Sequence, residues 1–337
     1  MEAFLYEKQK DGSVVCSLCR HRCHIKQGQR GICGVRENIS GTLQTLVYDK
    51  LIAKNIDPIE KKPIYHLSPG SLSYSVATVG CNFKCRFCQN SDIAQMPSDR
   101  NGMIMGDPFK PESIVSEAIR KNCKSISYTY TEPTVYFELA YDTAVISKKQ
   151  GLRNIFVTNG YMTPEALAMI TPYLDAANVD LKAFSDDFYR TYCGAKRDGV
   201  LDTLKQMKSA GIMIEITTLV IPGLNDKKEE ITSLARFIVN ELGPETPWHV
   251  SRFHPTYHLL DYPSTPVGTL AMVRETGLKE GLYYVYTGNV PGDEGENTFC
   301  HACKNKIIER WGYRINNYYI ENGCCRYCKT PIHGLDI

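Results

Sequence analysis

Ser73-Tyr-Ser-Val-Ala-Thr-Val79-Gly-Cys81-Asn-Phe-Lys-Cys85-Arg-Phe-Cys88 joins an apolar, β-prone run directly to a loop of three cysteines spaced C-x3-C-x2-C. A short apolar run of this kind reads as a strand buried on both faces. A [4Fe–4S] cube has four irons, and a simple electron-transfer site supplies four thiolates. Cys81, Cys85 and Cys88 supply three, which leaves one iron open to a ligand from outside the chain. The spacing by itself also permits a zinc site, or a three-cysteine turn whose fourth ligand lies elsewhere.

The strand that feeds this loop is the first of a series. Further β-rich runs are expected at Ser125–Tyr130, Asn154–Thr158, Ala177–Leu181, Met213–Ile221, His249–Phe253 and Tyr283–Thr287, with helical stretches between them. Pro111–Lys121 places Ile114, Val115, Ala118 and Ile119 on one helical face. Thr163-Pro164-Glu165 predicts an N-cap followed by a proline in the first turn. Asp226 is expected to cap a helix carrying Ile231, Leu234, Ala235 and Ile238, which Gly243 can end. Alternating β and α with nearly continuous apolar strands implies an α/β fold with a parallel sheet covered by helices. Its expected form is a partial (β/α)6-type barrel over residues 46–297, in which 46–72 supply a connecting strand and turns. A cysteine-rich segment, 1–45, precedes the barrel, and a cysteine-rich tail, 298–337, follows it.

Side chains at i and i+2 of a strand share a face. Asp180 and Lys182, Glu215 and Thr217, and Arg252 and His254 are three such pairs in otherwise apolar strands or at their C-terminal ends. Cys81, Glu132 and Asn159 also follow strands immediately. In α/β barrels the C-terminal strand ends carry the active site, so these polar residues are expected on one rim. Any one of them alone could simply cap a strand.

The loop's spacing, Phe87 just before Cys88, and the position after the first barrel strand together resemble the radical S-adenosylmethionine (SAM) pattern. Tyr128-Thr-Tyr-Thr-Glu-Pro133, Val157-Thr-Asn-Gly-Tyr161, Val179-Asp-Leu-Lys182, Leu219-Val-Ile-Pro-Gly223 and Trp248-His-Val-Ser-Arg-Phe-His-Pro255 look like the successive strand ends of pyruvate formate-lyase activating enzymes. Asp57-Pro-Ile-Glu-Lys-Lys-Pro63, Gly80-Cys-Asn-Phe83, Cys88-Gln-Asn90 and Gly288-Asn-Val-Pro-Gly292 carry a closer similarity, over nearly the whole chain, to the radical SAM proteins of the AmmeMemoRadiSam system. The resemblance implies that SAM binds the open iron through its amino and carboxylate groups, with Phe87 and Thr217 among the residues lining its pocket. It places Glu132 near the SAM amino group, Asn159, Asp180 and Lys182 near the ribose and carboxylate, and His254 near the adenosyl group. Where activating enzymes often carry an acid, this chain has Val157.

That cofactor pair implies reductive cleavage of SAM to methionine and a 5′-deoxyadenosyl radical, which takes hydrogen from a substrate. No side chain is required as a general acid or base. The implied substrate is a protein, as for the activating enzymes; a small molecule, a lipid precursor or RNA is the alternative, and a non-catalytic iron–sulfur or zinc scaffold is a third reading. A reductant such as ferredoxin or flavodoxin is implied, and the closer family adds Memo-like and Ammecr-like partners.

Two further cysteine groups flank the barrel. Cys16-x2-Cys19-x3-Cys23-x9-Cys33 offers four thiolates, which suit zinc or iron–sulfur equally, with His21 and His24 as spare ligands. Cys300-x2-Cys303 and Cys325-x2-Cys328 read as two knuckles of a rubredoxin or zinc-ribbon type. Zinc is expected there, with a one-iron centre as the alternative. Lys304 and Lys329 occupy positions where such knuckles usually have glycine, and Cys324 is expected not to be a ligand. The residues between the knuckles alternate as a short hairpin would. The chain has 14 cysteines in 337 residues, and all but Cys123 and Cys193 fall into these three groups. Such clustering favours metal sites over disulfides. The net charge of +2 gives no broad attraction to nucleic acid. No apolar run approaches the length of a membrane span and no signal peptide is evident, so a soluble, cytoplasmic chain is expected.

Overall fold

Each expected β-run forms a strand, and together they build one sheet. The computed structural model describes residues 1–337. Ala53–Pro58 (β1) pairs antiparallel with Leu72–Ala77 (β2). Ser125–Tyr128 (β3), Arg153–Thr158 (β4), Ala176–Asp180 (β5), Met213–Val220 (β6), Trp248–Arg252 (β7) and Val285–Gly288 (β8) then follow, each parallel to the last. Strand order in the sheet is the order in the chain. β8 and β1 stand at opposite edges and do not pair, so the barrel stays open on one side.

The strands are apolar because both faces are covered. All four residues of β3 are buried, as are Ser73 to Ala77 of β2. The helix Pro111–Arg120 buries Pro111, Ile114, Val115 and Ala118, but leaves Ile119 47% exposed. At 100° per residue Ile119 falls roughly 90° from the centre of that buried face, on its flank. Thr163 caps its helix as expected, its Oγ1 accepting from Ala166 N at 3.2 Å. Asp226 does not cap. The helix Lys228–Phe237 begins without a side-chain cap, and Asp226 Oδ1 instead accepts from Gly223 N at 2.9 Å, closing the turn before it.

One polar pair also departs from the expected rim. Glu215 and Thr217 share a face of β6, but Glu215 lies two residues further from the strand's C-terminal end. Its carboxylate accepts from Tyr65 N and His66 N, both at 2.8 Å, and lies 2.6 Å from His249 Nε2. Glu215 therefore belongs to the barrel floor. The tail sits beneath that floor. Arg310 reaches Tyr65 O at 3.3 Å, and Leu335 bridges to Leu67. Within the tail Lys306–Trp311 and Arg314–Tyr318 form the expected antiparallel hairpin.

Residues 1–45 form short antiparallel pairings that lie against the opposite end, at the rim. Cys19 bridges to Met162, and His21 Nε2 lies 2.8 Å from Asn82 O. No helix is long and apolar enough to cross a membrane.

Candidate metal centre

Gly80 turns the chain out of the strand region at φ +99°, where a Cβ would lie 2.5 Å from Val35 Cγ1 and 3.1 Å from Cys33 O. Glycine is therefore required both for the left-handed turn and for the close approach. The cysteine loop that follows is fixed by its backbone. Lys84 N donates to Cys193 O at 2.8 Å and Arg86 N to Tyr192 O at 2.9 Å. Gln95 Nε2 donates to Phe83 O at 3.0 Å, and the Phe83 ring packs on Tyr161 and Tyr189.

Burial pushes the Cys81 thiol well above its ordinary range, and pushes Cys88 up to about 11. Cys85 is also held high, first by its contact with the Cys193 thiol and then by burial. Thiols in this position stay protonated at neutral pH unless a metal takes the proton's place. The donor set thus fits an iron–sulfur cluster.

Polar groups gather beside it. Lys182 Nζ pairs with Asp180 Oδ2 at 2.9 Å and lies 5.8 Å from the Phe87 ring centroid. Burial opposes the charge on Lys182, but the Asp180 carboxylate more than compensates and holds its pKa well above the ordinary value. Asp180 sits beside Thr217 in the sheet register, and Thr217 Oγ1 is buried with no partner in the protein. A buried hydroxyl without a partner costs about 1–3 kcal/mol. On the other side Asn159 Nδ2 donates to Asn82 Oδ1 at 2.7 Å and lies 3.8 Å from Cys81 Sγ.

Glu132 has a different geometry from that of an open ligand contact. It is 2% exposed, and its Oε1 accepts from Thr134 N, Thr134 Oγ1 and Thr158 Oγ1 while Oε2 accepts from Asn159 N at 2.8 Å. In the protein alone it orders the Asn159 turn. His254 stands apart from the group. It is exposed, and its ring contacts Ser264 at 3.2 Å. Its loop nonetheless reaches the cysteines, since His258 N donates to Arg86 O at 2.9 Å. Cys193 is the neighbour that the sequence did not reveal, because it lies more than 100 residues from Cys85 and has no cysteine beside it.

A half-open parallel barrel with a three-cysteine loop at the C-terminal end of its first parallel strand defines a protein of the radical SAM class. Residues 75–237 match the model of the Radical SAM superfamily, and the chain belongs to it. It is a radical SAM enzyme related to the pyruvate formate-lyase activating enzymes. Over 333 residues it is 47% identical to the uncharacterized protein MJ0808 of Methanocaldococcus jannaschii, covering 98% of each chain. It is 26% identical to the pyruvate formate-lyase-activating enzyme of Clostridium pasteurianum, over 48% of this chain and 67% of that one. The fold resembles that of SuiB from Streptococcus suis bound to S-adenosylmethionine, with a TM-score of 0.52 and 16% identity, over 68% of this chain and 53% of that one. Membership of the superfamily implies a [4Fe–4S] cluster and SAM.

The tail holds a second set of ligands. The sulfurs of Cys300, Cys303, Cys325 and Cys328 all lie within 4.8 Å of one another, so this group could bind a metal. Cys300 and Cys328 are 3.6 Å apart, and Cys303 and Cys325 are 3.7 Å apart. Lys304 and Lys329 adopt φ +61° and +62°, the left-handed conformation that glycine usually takes at such knuckles. Their amides donate to Cys300 O and Cys325 O. Cys324 lies outside the four-sulfur set.

Proposed function

We propose that this enzyme activates a protein substrate by hydrogen abstraction, using Cys81, Cys85 and Cys88 to hold the cluster and the Asp180–Lys182–Thr217 patch to bind SAM. The observation that carries the reading is the juxtaposition of three thiols, Cys85 buried and Cys81 and Cys88 half-buried, the Asp180–Lys182 pair and the unpartnered Thr217 hydroxyl at one end of the barrel. A [4Fe–4S] cluster with SAM bound supplies a 5′-deoxyadenosyl radical that takes a hydrogen atom from the substrate.

The chain's own residues bind, orient and exclude water. Asp180 and Lys182 offer an acceptor and donors to the ribose and carboxylate, and the Phe87 ring closes the apolar side. Glu132 keeps Asn159 against the cysteine loop. His254, on its exposed loop, is suited to meet the adenosyl group only if that loop closes inward.

Two features favour a protein substrate. The sheet is open between β8 and β1, which gives a bulky partner a lateral approach. Relatives include a putative glycyl-radical enzyme activating enzyme of Methanocaldococcus jannaschii, at 27% identity, and the isethionate sulfite-lyase activating enzyme of Nitratidesulfovibrio vulgaris, at 25%. The proposal includes residues 1–45, 46–297 and 298–337 as separate structural units and a cytoplasmic setting. It also includes an electron donor of the ferredoxin or flavodoxin type, and work within an AmmeMemoRadiSam system alongside Memo-like and Ammecr-like proteins.

Anaerobic reconstitution followed by dithionite reduction in the presence of SAM tests the reading. Formation of 5′-deoxyadenosine by the wild type, and its loss in Cys81→Ala, is the expected result. Full cluster loading with no 5′-deoxyadenosine would sink it.

A further inference from the structure

Asn82 follows Cys81 in the cysteine loop and is 1% exposed. Its Nδ2 is buried and has no partner in the protein. We propose that Asn82 and Asn159 are a pair of amide donors to the sulfur of the cluster at its Cys81 corner, and that they raise the cluster's reduction potential. The inference rests on the three-cysteine cluster of the proposed function and adds the residues that set its potential.

A chain of hydrogen bonds fixes which way each amide points. Glu132 Oε2 accepts from Asn159 N at 2.8 Å, and Asn159 Oδ1 accepts from Tyr161 N at 3.1 Å. With its oxygen held by Tyr161, Asn159 turns its Nδ2 toward the cysteine loop. That Nδ2 donates to Asn82 Oδ1 at 2.7 Å and lies 3.8 Å from Cys81 Sγ. Asn82 Oδ1 is itself 3.9 Å from Cys81 Sγ. With this oxygen taken by Asn159, the Nδ2 of Asn82 is left as a free donor beside the first cysteine.

The surroundings keep that donor in place. Asn82 O lies 2.8 Å from His21 Nε2, and the next carbonyl, Phe83 O, accepts from Gln95 Nε2 at 3.0 Å. A buried donor without an acceptor is costly. The thiol of Cys81 is a weak acceptor, whereas a thiolate or sulfide of a cluster carries negative charge and accepts more strongly. Phe83 N already points at Cys81 Sγ from 3.4 Å, and Asn159 Nδ2 from 3.8 Å. Asn82 adds a third N–H group to the same corner.

Reduction adds one negative charge to the cluster. Donors held rigidly at its sulfurs stabilise the reduced state more than the oxidised one, and such hydrogen bonds are among the determinants of an iron–sulfur potential. Asn82 is thereby a tuning residue, and Asn159 both donates and positions it.

The test is a redox titration of the reconstituted full chain without SAM, followed by electron paramagnetic resonance. The signal that disappears in the Cys81→Ala/Cys85→Ala/Cys88→Ala variant is the one read. Asn82→Leu keeps the size of the side chain and removes the donor. It should disfavour reduction about tenfold or more, a shift of about 59 mV or more to negative potential for one electron. Asn159→Leu should shift the potential in the same direction. Asn82→Ser keeps a donor and should lie nearer the wild type than Asn82→Ala does; this pair decides the matter where the leucine variant loses iron. A wild-type potential in Asn82→Leu, or equal potentials in Asn82→Ser and Asn82→Ala, would overturn the proposal. Weaker SAM binding in Asn82→Leu at an unchanged potential would also overturn it, and would assign the amide to SAM. The titration needs no turnover, so a wild type that holds a reducible cluster but makes no 5′-deoxyadenosine would refute the proposed function and leave this inference intact.

Discussion

Gly80→Ala should damage both cysteine groups at the rim through a single added carbon. Gly80 sits at φ +99°, where an L side chain is strained by about 1–2 kcal/mol. The new Cβ would also lie 2.5 Å from Val35 Cγ1 and 3.1 Å from the backbone oxygen of Cys33. A carbonyl cannot rotate out of the way, so overpacking adds about 1–3 kcal/mol. The expected loss is about 2–5 kcal/mol in all. Gly151→Ala is the control. It shares a left-handed φ of +75° but has nothing within 4 Å of the added carbon, so only the strain should remain. Urea unfolding under anaerobic conditions measures the two losses, and iron content reports on the cysteine loops. Adding Val35→Ala to Gly80→Ala should recover about 1 kcal/mol or more relative to the sum of the single changes. Equal losses in Gly80→Ala and Gly151→Ala, or no coupling with Val35→Ala, would refute the packing argument.

The remaining expectations are more local. Asp180→Ala and Lys182→Ala should each weaken SAM binding by roughly tenfold or more without loss of cluster, since a charged pair facing the cysteines needs a polar partner; equilibrium binding identical to wild type in both variants would remove them from the pocket. Cys328→Ser should release the tail metal while Cys324→Ser should keep it, and metal analysis of the full chain distinguishes the two. His66 is buried on the barrel floor near Glu215, His249 and Arg310, and burial lowers its pKa from 6.5 to about 4. Below 6.5 the unfolded chain takes up a proton that the folded chain refuses, so stability falls with pH between 6.5 and 4, by about 3 kcal/mol across that window. His66→Gln should flatten this part of the profile by about one proton, and an unchanged slope would show that the imidazole is already charged in the fold.

Much of the chemistry was legible because it is local. Cys81, Cys85 and Cys88 fall in one loop, so their spacing along the chain already fixes their reach in space. The two C-x2-C knuckles of the tail are similar, and their convergence needed only the hairpin that the alternation between them predicted. The strands were legible because a sheet covered on both faces requires nearly continuous apolar runs, and their order followed from the alternation with helices. Ile119 and Asp226 were misread at element edges, where a face or a cap depends on what the next element offers.

What only the tertiary structure decided are contacts between residues far apart in the chain. Cys193 meets Cys85, and Asn159 meets Asn82 and Cys81, because β2, β4 and β5 end at one level with their following loops folded over the rim. Glu215 and Thr217 share a face by the alternation of a strand, yet one turns to the floor's backbone amides and the other lies level with Asp180. The pattern of side chains specifies a face, whereas depth along the barrel axis is set by the register of neighbouring strands. The same limit applies to the two four-cysteine groups. Their spacings allow zinc or iron–sulfur alike, and the close approach of the four tail sulfurs, all within 4.8 Å of one another, exists only once the surrounding backbone has been packed into place.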